Sequence, residues 1–192
     1  GTPAPDFALP VKPKEDPLLL ANYKGERSVV LMFFPLAFST ICTAQMCTVA
    51  ENYRAWEALD AEVIGISVDS PWTNQKFAAE CGATFPIASD FNKDVSAAYD
   101  ALYEELMGLK GVTRRVVYVI DRSGTIVYAW EGEDAGIMPD FEEIMGTNTR
   151  GSFLFGRAVT PVMIEGGAGN IVNVSTDHVF PPPGRVVHGH GR

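Results

Sequence analysis

Residues 28–42 read Ser28-Val29-Val30-Leu31-Met32-Phe33-Phe34-Pro35-Leu36-Ala37-Phe38-Ser39-Thr40-Ile41-Cys42. The first seven are apolar after Ser28, rich in β-branched and aromatic residues, and stop at Pro35, which predicts a short buried strand. A loop follows. From Cys42 to about Leu59 the spacing turns helical, with Val49, Tyr53, Trp56 and Leu59 recurring every three or four residues. A cysteine therefore stands in the first turn of a helix. The free N–H groups and positive dipole end there favour thiolate over thiol, and thiolate is the nucleophile. Ser39, three residues back, offers a hydroxyl to whatever Cys42 attacks. Placement alone leaves a second reading open, in which Cys42 is a small buried hydrophobe beside Ile41.

Working outward, residues 62–68 (EVIGISV) predict a second strand, and Ser70-Pro71 opens a helix as N-cap and first-turn proline. Gly82 closes that helix after Phe77, Ala78 and Cys81. Residues 94–106 predict a further helix. Residues 115–120 and 125–130 predict strands joined by Asp121-Arg122-Ser123-Gly124, which is hairpin-turn chemistry. Alternating strands and helices followed by a hairpin make an α/β sandwich with a mixed sheet.

The 192 residues suit one ordinary domain, or one with an appendage, and 46% hydrophobic content is too high for a disordered chain. Three cysteines are too few for a disulfide scaffold. The longest apolar run, residues 29–38, is ten long and contains Pro35, well short of a membrane span. A net charge of −9 argues against nucleic acid as a partner. No leader is visible, though a start at Gly1 leaves a trimmed one open, so a soluble, cytoplasmic protein is expected. The first 144 residues hold all three cysteines, 22 acids and 11 bases, whereas residues 145–192 hold all three histidines, nine glycines, two acids and four bases. That break predicts two segments, 1–144 and 145–192.

Pro35, Ser39 and Cys42 match the Pro-x-x-x-(Thr or Ser)-x-x-Cys signature of the peroxiredoxins. Ala4-Pro5-Asp6-Phe7, Tyr23-x-Gly25 and Arg115, six residues before Asp121, fit as well, so residues 1–141 resemble that family. The resemblance implies a thioredoxin-like α/β sandwich whose central mixed sheet is flanked by helices. Residues 145–192 are expected to add a short C-terminal helix–strand extension, with a partly disordered segment or a fusion or truncation relic as the alternatives. It implies a thiol peroxidase acting on hydrogen peroxide and alkyl hydroperoxides. Cys42 would be the peroxidatic thiolate, passing to sulfenic acid. Ser39 would bond the peroxide, Pro35 would shield the site, and Arg115 would stabilise thiolate and developing charge. Arg114 and Arg115 point to opposite faces of a strand, and the family spacing selects Arg115, leaving Arg114 as a solvated charge. No metal, flavin or nucleotide cofactor is implied.

Cys47 follows Cys42 by five residues. This resembles the bacterioferritin-comigratory (peroxiredoxin Q) group, where such a cysteine resolves the sulfenic acid as an intramolecular disulfide. On an α-helix that spacing sets Cα atoms roughly 8–9 Å apart and about 140° around the axis, whereas a disulfide needs about 4.4–6.8 Å. Oxidation would therefore unwind the first helical turns, with thioredoxin or glutaredoxin as reductant. The segment FFPLAFSTIC also resembles the alkyl hydroperoxide reductase E group, in which this second cysteine need not occur. Cys47 would then be a bystander and an external thiol would resolve Cys42. Cys81 reads as buried packing, with a resolving role as its alternative. A redox-sensing module without high turnover and an NAD(P)-linked oxidoreductase are the rival functions; a monomer or homodimer is expected.

Trp56, Trp72 and Trp130 read as packing or surface aromatics, and Glu131, Glu133, Asp134, Asp140, Glu142 and Glu143 as a solvated acidic face. Glu51 is a candidate partner for an arginine near the site. His178, His188 and His190 lack a Cys or acid at ligand spacing and read as a terminal segment rather than a metal site. From Asn148 the chain resembles the middle of a short-chain dehydrogenase, with Asn148 and Gly151 matching a catalytic-asparagine helix and residues 169–176 a strand ending at the catalytic serine. Thr176 stands where that serine is usual, and the glycine-rich loop and the Tyr-x-x-x-Lys pair are missing, so no dehydrogenase activity is carried over. Phe155, Val159, Val162 and Met163 form an apolar stripe suited to a partner surface.

Overall fold

The structure, a computed structural model, describes residues 1–145. Past Met145, the extension, its dehydrogenase-like motif, its apolar stripe and its histidines lie outside the described residues. The chain divides into two compact units, Gly1–Pro139 and Asp140–Arg192, the second described only through the short helix α5, Phe141–Ile144. In the first unit the order is β1 (Thr2–Pro3), β2 (Ala8–Leu9), β3 (Leu18–Leu19), a 3-10 turn (Leu20–Tyr23), β4 (Ser28–Phe33), α1 (Thr40–Glu51), α2 (Tyr53–Ala58) and β5 (Ala61–Ser67). Then come α3 (Pro71–Cys81), β6 (Ile87–Ser89), α4 (Asp94–Ala98), β7 (Glu105–Leu106), β8 (Leu109–Lys110), β9 (Val116–Ile120) and β10 (Thr125–Glu131).

A mixed sheet runs β1-β10-β9-β4-β5-β6, as the alternating pattern predicts. β4 pairs parallel with β5 and β5 with β6, while β9 pairs antiparallel with β4 and β10. The parallel pairs need crossovers, and α1–α2 and α3 supply them. Strand alternation divides the core. Val29, Leu31 and Phe33 join Ile64, Ile66, Phe7, Leu20 and Tyr99 on one face. Gly65 belongs to the other face, where a Cβ would meet Met46 Sδ and Ile87 at 3.4 Å, so its bare backbone lets α1 settle on the sheet.

The two signals around α3 take the form their chemistry predicts. Ser70 Oγ accepts from Thr73 N at 3.2 Å, Pro71 is the first helical residue, and Gly82 ends the helix at φ +66°. The long first helix is instead two. Asn52 leaves helical geometry (φ −103°, ψ 10°) and its Nδ2 donates to Thr48 O at 2.9 Å, a side-chain bond that competes with helix continuation. The helix expected over 94–106 stops at Ala98. Asp100 takes φ +52°, and Met107-Gly108, at φ +52° and +81°, turns the β7–β8 hairpin.

At the β9–β10 turn Asp121 Oδ1 accepts from Ser123 N (2.9 Å), Ser123 Oγ (2.6 Å) and Thr125 N (3.0 Å). Partial burial pushes this carboxyl up, but those bonds outweigh it and hold it below the usual carboxylate range. Asp121→Ala is expected to cost about 1–2 kcal/mol in urea unfolding at pH 7. Because the folded value is depressed, this contribution is complete above the ordinary aspartate value and fades as pH falls through the folded one. The variant's deficit should therefore shrink in acid; an unchanged deficit would remove the carboxylate from the account.

Candidate active site

The site begins where β4 runs out. Phe34 N still donates to Ile66 O at 3.0 Å, and the Phe34 carbonyl accepts from the buried Thr113 Oγ1 at 2.7 Å. Pro35, also buried, ends the strand. The loop is then tied across the sheet end by Ala37 N donating to Asp69 Oδ2 at 2.8 Å. Phe38 takes a left-handed φ of +63°, costly for a residue with a Cβ, and its ring packs edge-on against Phe77 at 5.1 Å. Ser39 is the extended N-cap of α1, and its carbonyl accepts the first helical bond from Thr43 N at 2.8 Å. Its hydroxyl does not cap the helix but donates to Leu36 O at 2.9 Å.

Cys42 and Arg115 are each 1% exposed, although they are 73 residues apart in sequence. Arg115 Nη2 donates to Cys42 Sγ at 3.5 Å and to Ala135 O at 2.7 Å, Nε donates to Ala135 O at 3.2 Å, and Nη1 donates to Gln45 Oε1. Gln45 is fully buried one helical turn after Cys42, so both present the same face of α1 to the guanidinium. Its Nε2 is a buried donor with no partner among the described residues. Of the acceptors around this cation, only the Cys42 sulfur is able to carry negative charge. The site therefore pairs one buried cation with one ionisable sulfur, in a setting where charge-assisted bonds are strong.

Of the residues singled out from sequence, Cys42 and Arg115 meet, with Pro35 and Ser39 on the loop that leads into the helix. Arg114 and Arg115 precede β9 (Val116–Ile120) rather than stand on the strand expected from 115, yet Arg114 has other partners than Cys42, and it is paired rather than solvated: it bridges to Glu131, with Asp100 Oδ2 at 4.0 Å. Glu131 thus leaves the acidic face expected to be solvated. Glu51 is exposed, and the arginine beside the site meets Gln45 instead. Trp56 is core and Trp72 is 65% exposed. Cys47 does not face Cys42. Cys47 Sγ lies 2.7 Å from Cys81 Sγ, both residues half-buried, with Cys81 Sγ also 4.0 Å from Thr43 O. Burial, then the hydrogen bond and charge of Cys47, then Glu80, push the Cys81 thiol up to about 12.

Sequence reasoning missed Gln45, Thr113 and Asp69. Gln45 carries a signal, since a polar residue three positions after Cys42 must share its face. Thr113 and Asp69 carry none, because their partners lie 79 and 32 residues away.

Residues 1–129 match the model of the AhpC/TSA family. The chain is 37% identical over 131 residues to alkyl hydroperoxide reductase E of Mycobacterium tuberculosis, covering 67% of this chain and 82% of that protein. It is 33% identical over 138 residues to a chloroplastic 2-cysteine peroxiredoxin of Chattonella marina, covering 67% and 68%. Among solved structures, peroxidoxin BcpB of M. tuberculosis superposes with a TM-score of 0.63 at 26% identity, covering 71% of this chain and 88% of that one. Reduced 2-Cys peroxiredoxin of Plasmodium vivax gives 0.62 at 25% identity, covering 74% and 76%. The fold is thus the thioredoxin-like α/β arrangement of these proteins.

The geometry predicts that Cys42 reactivity depends on Arg115. Arg115→Met should slow alkylation of Cys42 by iodoacetamide at pH 7 roughly tenfold or more, as the charge-assisted bond to sulfur is lost. Arg115→Lys should recover only part, since an ammonium cannot span the same acceptors. Peptide-mapped alkylation rates, with circular dichroism to verify folding, make the comparison. Equal rates in all three proteins would detach Arg115 from the chemistry.

Proposed function

This chain belongs to the AhpC/TSA family and is a thiol-dependent peroxidase, and on that premise we propose that Cys42 is its peroxidatic residue, served by Arg115, Ser39 and Pro35. The observation that carries this reading is the Arg115 guanidinium 3.5 Å from the Cys42 sulfur at the first turn of α1. The Cys42 thiolate attacks the terminal oxygen of hydrogen peroxide or an alkyl hydroperoxide. An S–O bond forms, the O–O bond breaks, and the departing oxygen takes a proton and leaves as water or alcohol. Arg115 stabilises the thiolate and then the negative charge developing along O–O. Ser39 turns its hydroxyl from Leu36 O to the peroxide, and the unpartnered Gln45 Nε2 is a second donor for a peroxide oxygen. The buried Pro35 shields the site.

Cys47 then attacks the sulfenic sulfur, forming a Cys42–Cys47 disulfide and releasing water. Their positions on one continuous helix require the first turns of α1 to unwind for this step. Thioredoxin or glutaredoxin is the proposed reductant. We place the protein in the cytoplasm, as a monomer or homodimer, which suits chemistry that needs its thiols reduced. Residues 145–192 are proposed to be an appendage with short-chain-dehydrogenase-like sequence and no dehydrogenase activity.

Thioredoxin-coupled turnover of hydrogen peroxide tests the assignment. Cys42→Ser should lower it roughly a thousandfold or more, the scale expected for loss of a covalent nucleophile. Cys47→Ser should leave Cys42 as a sulfenic acid that dimedone traps, with turnover collapsing. Wild-type turnover in Cys47→Ser would move the protein to the one-cysteine mechanism. Stoichiometric oxidation without turnover in the wild type would make it a sensor.

A further inference from the structure

We propose that Cys47 and Cys81 form a second redox pair, which takes the disulfide from Cys42–Cys47 and holds it as Cys47–Cys81 until the reductant arrives. This rests on the assignment of Cys42 as peroxidatic and Cys47 as resolving. The geometry that carries it is the 2.7 Å separation of the two sulfurs, on helices packed side by side. A disulfide bond is about 2.05 Å, so the bond forms with little movement and with both helices intact. The Cys42–Cys47 bond differs, because it exists only while the start of α1 is unwound.

The exchange balances without an added oxidant. Cys81, as thiolate, attacks the Cys47 sulfur of the Cys42–Cys47 disulfide; the Cys47–Cys81 bond forms, and Cys42 leaves as a thiolate carrying the electron pair. The Cys81 proton passes to solvent. Cys81 stands where this requires. It is the last residue of α3, its sulfur touches Cys47, and it lies 4.0 Å from the carbonyl of Thr43 in the turn that unwinds. Rewinding of α1 supplies the driving force, because transfer releases Cys42 to return to Arg115. Exposure agrees with the assignment: Cys42 is 1% exposed, whereas Cys47 and Cys81 are half-buried and within reach of a protein reductant.

The test treats the reduced full-length chain with one equivalent of hydrogen peroxide, quenches by acid at a series of times, and maps disulfides by mass spectrometry. The expected course is a transient Cys42–Cys47 disulfide giving way to Cys47–Cys81 with Cys42 free, so that the wild type rapidly consumes a second equivalent without reductant. Cys81→Ser should stop at Cys42–Cys47 and lose that second rapid equivalent. A stable Cys42–Cys47 disulfide with free Cys81 in the wild type would overturn the relay while leaving the peroxidase intact. A direct Cys42–Cys81 disulfide would overturn it by making Cys81 the resolving residue. Absence of any fast change at Cys42 would instead overturn the underlying assignment. An independent check uses Cys42→Ser with diamide: Cys47–Cys81 should form with helical circular dichroism unchanged, and failure to form it contradicts the pairing.

Discussion

A buried guanidinium has to find acceptors for its N–H groups, and at Arg115 that requirement organises the site. The cost of removing such a cation from water is several kcal/mol unless it is met by well-placed partners. Here the partners come from two separate segments: Cys42 and Gln45 on α1, and the Ala135 carbonyl beyond β10. Arg115 itself directly precedes β9, which lies between β4 and β10 in the sheet. Satisfying one side chain thus fixes the rotation of α1 and the path of the chain after the hairpin. Among those acceptors the sulfur is the one able to take a negative charge, so in the proposed mechanism a requirement of folding also positions the nucleophile.

The second constraint is the helix on which Cys42 and Cys47 stand. A rigid α1 keeps their sulfurs apart and gives each a different neighbour, Arg115 for Cys42 and Cys81 for Cys47. Chemistry between them needs the first turns to open. The local structure suits that division of labour. The preceding loop is pinned by Thr113 to Phe34 and by Asp69 to Ala37, and the later turns are held by Met46 and Val49 in the core. Between these anchors the cap at Ser39 lacks a side-chain bond to the helix, and Phe38 sits at positive φ. Segments of this kind open locally at a smaller cost than the fold as a whole.

What could be read in the sequence was what neighbours in sequence decide. The strand before Pro35, the Ser70-Pro71 cap, the Gly82 stop and the Asp121 turn follow from local chemistry, and they were legible. The break at Asn52 and the end of α4 were not. At α4 the chain leaves the helix because the Tyr99 ring enters the core beside Phe33 and Tyr118 while its hydroxyl donates to Pro5 O, 94 residues away. The same holds at the site. Cys42 was marked by its place at a helix start and Arg115 by family spacing. Gln45 as the arginine's partner, and Cys81 as the neighbour of Cys47, arise only when separate helices and strands are packed together.

The central proposal is that the fold, through Arg115 and the start of α1, makes Cys42 a peroxide-reactive nucleophile. The most direct measurement is the stopped-flow rate constant for hydrogen peroxide with a chain carrying Cys47→Ser and Cys81→Ser, so that Cys42 is its sole cysteine. The account predicts oxidation to a sulfenic acid at Cys42 orders of magnitude faster than that of free cysteine in the same buffer. A rate constant equal to that of free cysteine in the folded protein would contradict it.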